Sequence, residues 1–599
     1  RFLAAEPHLS GTDRSERVVA DYILNKYKEH GLDTFEKVPY DILHQYPDPN
    51  NPNKVQLLAG DGTILMDAAL HEKQIPGIKT EGVPAYLSYA KPGTVEADVI
   101  FVNHGTHNDF DELQANNIDV KGHICLSRYG GGHRGNKVRD LSCPGTYAHP
   151  PTPQDIPPGI NPEEWARHDT SGTVTSFVAT SGSLLAHGRF RTVNTPAGDT
   201  FADTTRAYGT PRSCPLSSRE YQDVMSDLNI RQDMTSANGI SRRRFDWLAA
   251  TGHFFFFPKQ ATVRLVINSK FEVKTCYNII GTIKGAIEPD RYSITGTHHD
   301  AWVYGAEDPS SATAALLELT RLLGNELKRG WRPRRSIVFG IWAAEEMAIA
   351  GSQEWVEDKF LLLNRGAVGY SNVDNCVSGT MFFAYASPAF HHLIIEATKV
   401  VPFDDKQFLY DIWYDFSINK MQRKDLVLIL PHGGADNNAF NNFAGIPAVA
   451  FTFRPDGYGW GSYPSYHTAY ETLHLYETFY DPEYKYMALC TQLNGLLTLT
   501  LAESELLPYN FSRVAFQYQT NLKKIMPMET KMTAHGVSLD WLKKETDGFE
   551  AAALKWHHAI NAERNSMSES RIRMLNDRML LIERAFLKLE GIKDRPTLR

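Results

Sequence analysis

Residues 336–355 read SIVFGIWAAEEMAIAGSQEW. The first part, Ser336 to Trp342, is a short uncharged run of strand-forming residues. Two adjacent glutamates, Glu345 and Glu346, follow it almost at once. A buried carboxylate is costly unless something pairs with it. A glutamate pair at the inner end of an apolar strand therefore asks for a partner.

The surrounding sequence repeats the arrangement. Tyr292–Thr297 reads as a strand followed by His298 and Asp300, and Gly366–Val373 as a strand followed by Asp374. Ser310–Lys328 reads as a helix and Ile446–Phe453, IPAVAFTF, as a further strand. Strands alternating with helices from about residue 271 predict an α/β sheet with parallel members. In such sheets ligands gather beyond the carboxyl ends of the strands. Several carboxylates converging there repel one another unless a cation holds them, and a mixture with imidazole suits zinc, with manganese or cobalt as alternatives. Asp308, in GAEDPSSA, and His467, in SYPSYHTAYET, complete a set of five ligand candidates. Five ligands serve two metals if one carboxylate bridges, and ions about 3.5–4 Å apart can act jointly on a carbonyl and a water.

The chain has 599 residues, enough for about three to five domains. Its net charge of −8 is mild for that length and gives no reason to expect a nucleic-acid partner. Six scattered cysteines contain no CxxC pair, so neither a disulfide scaffold nor a thiolate zinc site is expected. The longest apolar runs are too short to span a membrane. The sequence begins at Arg1 with no signal peptide, as in a processed or truncated form. Asn510-Phe511-Ser512 is a glycosylation tripeptide of a kind that also arises by chance.

Residues 13–30 predict a helix, with Val18, Val19, Tyr22, Ile23 and Tyr27 near helical spacing and Gly31 as its stop. Ala97–Val102 and His123–Arg128 look like short strands. Residues 139–245, rich in Pro, Ser, Thr, Gly and Arg, read as loop-dominated. Beyond about 535 the chain is helical, and Leu575, Met579, Ile582, Phe586 and Leu589 form an apolar seam. Either an intramolecular bundle or a subunit interface would use it.

Taken together, these residues resemble the co-catalytic zinc exopeptidases, and more closely the glutamate carboxypeptidase II and transferrin receptor group. The similar stretches are GTHHDAWVYGAEDPSSA (296–312), GWRPRRSIVFGIWAAEEMAIAGSQEWVE (330–357), YSNVDNCVSG (370–379) and YPSYHTAYETLHLYETFYDPEYKY (463–486). EPHLSGT (6–12), RYGGGHRGNKV (128–138) and MLNDRMLLIERAFLKLEGIKDRP (574–596) are similar too, whereas 139–260 does not align. The resemblance implies an α/β zinc-exopeptidase domain with a mixed central sheet, formed by residues 1–34 with 270–510. A protease-associated, apical domain would be inserted at 35–269, and a helical domain at 511–599 would make a homodimer. It further implies two zinc ions per chain. His298 and Asp374 would hold the first, Glu346 and His467 the second, and Asp308 would bridge them. Glu345 matches the general base, Asp300 the carboxylate behind His298, and Tyr466 a donor to the tetrahedral oxyanion. Glu354 and Glu357 match two ligands of a structural calcium ion. By the same resemblance the protein is an extracellular, cell-surface ectodomain whose anchor lies outside this chain.

The resemblance also bears on specificity. Arg134 matches an arginine that grips the free carboxylate of a peptide or small acyl-amino-acid substrate, a role suited to a guanidinium fork. Two arginines that select acidic side chains in the family are replaced by Ala450 and Thr452, Arg454 is displaced by two, and Ala435 stands for an asparagine. The chain ends at Arg599, where relatives continue with pocket residues. The expectation is a metallo-carboxypeptidase or dipeptidase of the glutamate carboxypeptidase II type. Its alternatives are an aminopeptidase on the same scaffold and a non-enzymatic binder like the transferrin receptor. Suitable residues at all five ligand positions and at the base favour an enzyme.

Overall fold

The computed structural model describes residues 1–127 apart from several positions between 73 and 91, then 176–178, 262–431, 434–455, 463, 465–589 and 591. Its principal sheet has eight strands: β1 Thr34–Tyr46, β2 Lys270–Ile283, β3 Glu288–His298, β4 Arg335–Trp342, β5 Ala367–Asn372, β6 Met381–Ala386, β7 Leu428–Ile429 and β8 Ala448–Arg454. Their order is β1-β2-β4-β3-β5-β8-β6-β7. The central four, β4, β3, β5 and β8, run parallel, while β1, β2 and β6 join antiparallel. The expected mixed α/β sheet is thus present.

Every residue of β4 is buried, because helices cover both faces. Ile337, Phe339 and Ile341 point to one side, onto α1 (Ala20–His30) and α2 (Ser310–Lys328). Val338 and Trp342 point to the other, where Trp355, Tyr370 and Phe440 pack. The Trp342 indole lies so close over its neighbours that a Cβ on Gly340 would sit 2.2 Å from the ring. It donates Nε1–H to the Tyr370 hydroxyl at 2.9 Å, which in turn donates to Asn372 at 2.8 Å. Truncating such a residue to alanine costs about 3–5 kcal/mol.

The N-terminal helix follows the sequence reading. Val19, Ile23 and Tyr27 are buried, Val18 is exposed, and Gly31 closes the helix at φ +82°. One boundary moves. Residues 35–46, assigned above to the insert, belong to the principal sheet, because β1 pairs with β2 continuously from Thr34↔Thr282 to Tyr46↔Lys270. Beyond Tyr46 an antiparallel sheet forms from Ile64–Asp67, Lys54–Leu58, Thr262–Ile267 and Gly93–Ala97 in that order. A parallel one forms from Val99–Phe101, Ile124–Ser127 and Ser176–Val178. Apart from Ser176–Val178, the stretch 139–245 lies outside the described residues, as does Arg134.

Helix α3 (Ala350–Asp358) follows β4 and α4 (Lys485–Glu503) follows β8, and beyond them the C-terminal part is helical, with α5 (Phe511–Ile525), α6 (Asp540–Glu563) and α7 (Glu569–Arg584) as its longer helices. Asn510 accepts the backbone N–H of Arg513 and caps α5. The apolar seam divides. Leu575 and Met579 are buried, whereas Leu589 is 62% exposed and Phe586 lies beyond the end of α7, its ring against Tyr518 and Phe549. Ion pairs of Arg291 with Asp577 and of Arg334 with Glu569 tie α7 to the sheet. One pair of the scattered cysteines, Cys376 and Cys490, forms a disulfide across 114 residues. Cys125 and Cys276 are free and buried. Among the described residues no helix is long and apolar enough to cross a membrane.

Candidate metal centre

Parallel register brings the candidate ligands together. His298, the last residue of β3, lies level with Trp342, the last of β4, and Gly296 lies level with Asn372, the last of β5. The loops bearing Glu345, Glu346 and Asp374 therefore leave the sheet at one height. Asp308 arrives on the segment entering α2, and His467 on the turn after β8.

Two clusters result, His298–Asp308–Asp374 and Asp308–Glu346–His467. Asp308 belongs to both and divides its oxygens between them. Its Oδ1 is 3.1 Å from His298 Nε2, and its Oδ2 is 3.0 Å from His467 Nε2. His298 Nε2 is also 2.9 Å from Asp374 Oδ1, and His467 Nε2 is 3.1 Å from Glu346 Oε1. Two ligands each about 2.1 Å from one tetrahedral ion lie about 3–3.5 Å apart. The donor types and spacings fit two divalent ions sharing a carboxylate.

Glu345 and Glu346 diverge because the backbone between strand and helix is turned sharply. Ala344, Ala348 and Ile349 all adopt left-handed conformations, at φ +53°, +68° and +63°. Each costs a non-glycine residue about 1–2 kcal/mol. Glu346 reaches His467, while Glu345 Oε2 stays 4.0 Å from His298 Nε2, outside both ligand clusters. Asp300 fixes this loop. Its carboxylate accepts the backbone N–H of Glu345 at 3.0 Å and of Glu346 at 3.2 Å. The His298 ring is held chiefly by the Asp300 carbonyl oxygen, 3.0 Å from Nδ1, with the carboxylate at 3.6 Å. Asp300 thus stands behind His298 with both its carbonyl and its carboxylate, and the carboxylate also serves the glutamate pair.

The electrostatics follow from burial. Desolvation, reinforced by Asp374 and Asp436, pushes the Glu345 carboxyl well above the usual range, against the pull of His298. Burial disfavours the charged His298 imidazole, but Glu345 and the hydrogen-bonded carboxylates more than offset this and raise it. His467 has φ +61°, and its ring stacks on Tyr466 at 3.7 Å.

Three carboxylates escaped the sequence reading. Glu471 accepts the backbone N–H of Asp308 at 2.8 Å, the N–H of His467 at 3.2 Å and the Tyr463 hydroxyl at 3.0 Å, bracing both ligand loops. Glu307 accepts the N–H of Val377, and Asp436 the Ser352 hydroxyl. The sequence offers a faint signal for Glu471, a second carboxylate four residues after His467. Glu354 and Glu357 stand on α3, where Gln353 donates to Glu357 at 2.7 Å. Among the described residues they form no metal-ligand cluster. Thr452 donates to Asn375 at 3.1 Å, beside Asp374. The Arg454 guanidinium lies 5.9 Å from the ring centres of Phe383 and Tyr385.

Residues 278–478 match the model of peptidase family M28, and residues 537–599 that of the transferrin receptor-like dimerisation domain. The chain is 31% identical to the aminopeptidase NAALADL1 of Rattus norvegicus over 98% of its own length and 81% of that protein's. It is 29% identical to a glutamate carboxypeptidase 2 homolog of Caenorhabditis elegans over 99% and 80%. It is 31% identical to the probable glutamate carboxypeptidase VP8 of Zea mays over 99% and 79%.

Proposed function

Since this chain belongs to peptidase family M28, and is thereby a zinc metallo-exopeptidase ending in a transferrin receptor-like dimerisation domain, we propose that it releases the C-terminal residue of small peptides or acyl-amino acids with a pair of zinc ions. The observation that carries the two-ion reading is Asp308, whose two oxygens each lie beside a different histidine. His298 and Asp374 would hold one ion, and Glu346 and His467 the other. Bound there, the ions would supply Lewis-acid polarisation of the peptide carbonyl and lower the pKa of water.

The chain's own groups handle protons and orientation. Glu345, held by Asp300 and free of both ligand clusters, takes a proton from the attacking water and returns it to the leaving amine. Burial beside other carboxylates raises its proton affinity, which suits a base that must later act as an acid. Tyr466, stacked on His467, donates its phenol to the developing oxyanion. Arg134 would grip the substrate's terminal carboxylate. Glu354 and Glu357 would contribute to a calcium site.

The segment between β1 and β2 is read as the protease-associated, apical domain. Its support is that the chain leaves and re-enters the sheet at paired positions, Tyr46 and Lys270. The helices from 511 are read as making a homodimer, supported by exposed Phe516 and Trp541. The Cys376–Cys490 bond supports an extracellular setting, since disulfides persist in oxidising compartments. An aminopeptidase is the second reading, favoured by the name of the Rattus norvegicus relative.

A panel of N-acetylated dipeptides, their C-terminal amides and unblocked aminoacyl amides, run on zinc-loaded protein, separates these readings. Cleavage of the acetylated dipeptides and sparing of the amides is expected. Cleavage of aminoacyl amides alone would establish the aminopeptidase. Zinc-loaded protein inert toward the whole panel would favour the receptor-like binder.

A further inference from the structure

We propose that the Cys376–Cys490 disulfide is a positioning element for Asp374, setting the affinity of the His298–Asp374 half of the metal centre while leaving the Glu346–His467 half nearly untouched. The inference rests on the two-ion reading above.

Asp374 stands two residues before Cys376, on the segment that leaves β5. That segment has no regular structure of its own, yet it is pinned along its length. Val373 donates its N–H to the Gly296 carbonyl at 3.0 Å, Cys376 to the Ser311 hydroxyl at 3.1 Å and Val377 to Glu307 at 3.2 Å. The three partners lie on β3 (Gly296), on the segment that carries Asp308 into α2 (Glu307) and in the first turn of α2 (Ser311). The disulfide adds an attachment of a different kind, a covalent bond to Cys490 on α4. Both cysteines are fully buried.

One turn further along α4 is Asn494, on the same helix face as Cys490. Its side-chain amide exchanges hydrogen bonds with the Thr295 hydroxyl of β3 at 3.0–3.1 Å and accepts the Ser371 hydroxyl of β5 at 2.8 Å. Thus α4 holds the strand that ends in His298, the strand that leads to Asp374, and the loop between Asp374 and β6. Glu346 and His467 are held differently, by Asp300 and Glu471. Asp300 serves both halves, through its carbonyl oxygen at His298 and its carboxylate at Glu346, but the attachments to α4, the disulfide among them, run to the His298–Asp374 half. Releasing it lets the Asp374 carboxylate wander from its place 2.9 Å from His298. A ligand displaced by a fraction of an ångström loses much of its worth to a small ion with short, directional bonds.

The test uses full-length protein freed of metal by a chelator and titrated with zinc by calorimetry. Wild type, Cys376→Ser/Cys490→Ser and a volume-filling Cys376→Ala/Cys490→Val are compared with Leu497→Ala. Leu497 is a fully buried residue of α4 that makes no cross-link. Circular dichroism and size exclusion report folding, and mass mapping confirms the wild-type bond. Wild type should take up two zinc ions. At least one cysteine pair variant should keep one tight site and bind the other ion tenfold or more weakly, whereas Leu497→Ala should lose thermal stability with both affinities retained. Equal affinities in wild type and the cysteine variants would overturn the inference, as would parallel weakening of both sites in the cysteine variants and in Leu497→Ala alike. Uptake of fewer than two ions by wild type would instead overturn the two-ion reading, and a wild-type mass map without the bond would remove the inference alone.

Discussion

The carboxylate of Asp300 accepts the backbone N–H of Glu345 at 3.0 Å, and its second oxygen takes the neighbouring N–H of Glu346. A fully buried carboxylate usually gains proton affinity, but His298 and these N–H groups hold Asp300 below its ordinary value. It stays charged and clamps a loop that the backbone alone would not favour, with Ala344 left-handed just before it. In Asp300→Asn the amide keeps one acceptor and turns an NH2 toward the other N–H. A buried donor left unsatisfied costs about 1–3 kcal/mol, and the loop will shift to relieve it. The expected outcome is a fall in kcat/KM of roughly ten- to a hundredfold, with zinc content largely retained. Wild-type kinetics in this variant would show that the clamp does not set the position of the base.

Glu345→Gln keeps the shape of the side chain and removes its basicity. Because Glu345 lies outside both ligand clusters, metal content should survive. Turnover should fall about 10²–10⁴-fold, the usual worth of a placed acid–base group, with KM little changed. A variant that turns over at the wild-type rate would move the base elsewhere.

The main features of the site were legible because strand ends in a parallel sheet are ordered by register. His298, Glu346 and Asp374 each follow an apolar run by a few residues, and the sheet aligns those runs. Helix limits at Ser310 and Lys328 were readable from the apolar spacing between them. The braces were not readable. Asp300 was assigned to the histidine before it, and its carboxylate does lie 3.6 Å from that ring, but its further hold on a loop 45 residues away is a choice made by tertiary packing. Glu471 looks like one more acid in a polar turn until the Asp308 loop is folded against it. The disulfide joins cysteines 114 residues apart, and scattered cysteines carry no pairing signal. The strand β1 was missed as part of the sheet because its outer half is exposed and mixed in character, and its place is set by pairing with β2.

Asp308→Ala should remove both ions together. Its two oxygens serve two clusters, so one substitution leaves each with two donors from the described set. Zinc at a catalytic site typically needs about three protein ligands. Metal analysis after dialysis should find neither ion, whereas Asp374→Ala should keep one. Two retained ions in Asp308→Ala would exclude a bridging role.

Acid should destabilise the metal-free protein through buried neutral histidines. His44 is fully buried, its Nε2 2.9 Å from the Ser10 hydroxyl and its Nδ1 2.9 Å from the Ile42 carbonyl. Burial pushes its pKa down to about 4, and His8 and His391 are pushed down to about 4 in the same way. The unfolded chain binds a proton at each near pH 6.5, and the folded chain only near pH 4. The stability these groups contribute is therefore complete above about pH 6.5 and is lost as pH falls toward 4. One such group changes the unfolding free energy by up to about 1.4 kcal/mol per pH unit across that window. His44→Gln, read by urea unfolding of chelator-treated protein at pH 7, 6 and 5, should start less stable but decline less steeply, by about one proton. Removing the metal first matters, because His298 and His467 would otherwise couple the same pH range to ion release. Parallel curves for variant and wild type would mean that His44 titrates in the folded protein as it does in the unfolded chain, and that its burial is compensated by a partner favouring the charged ring.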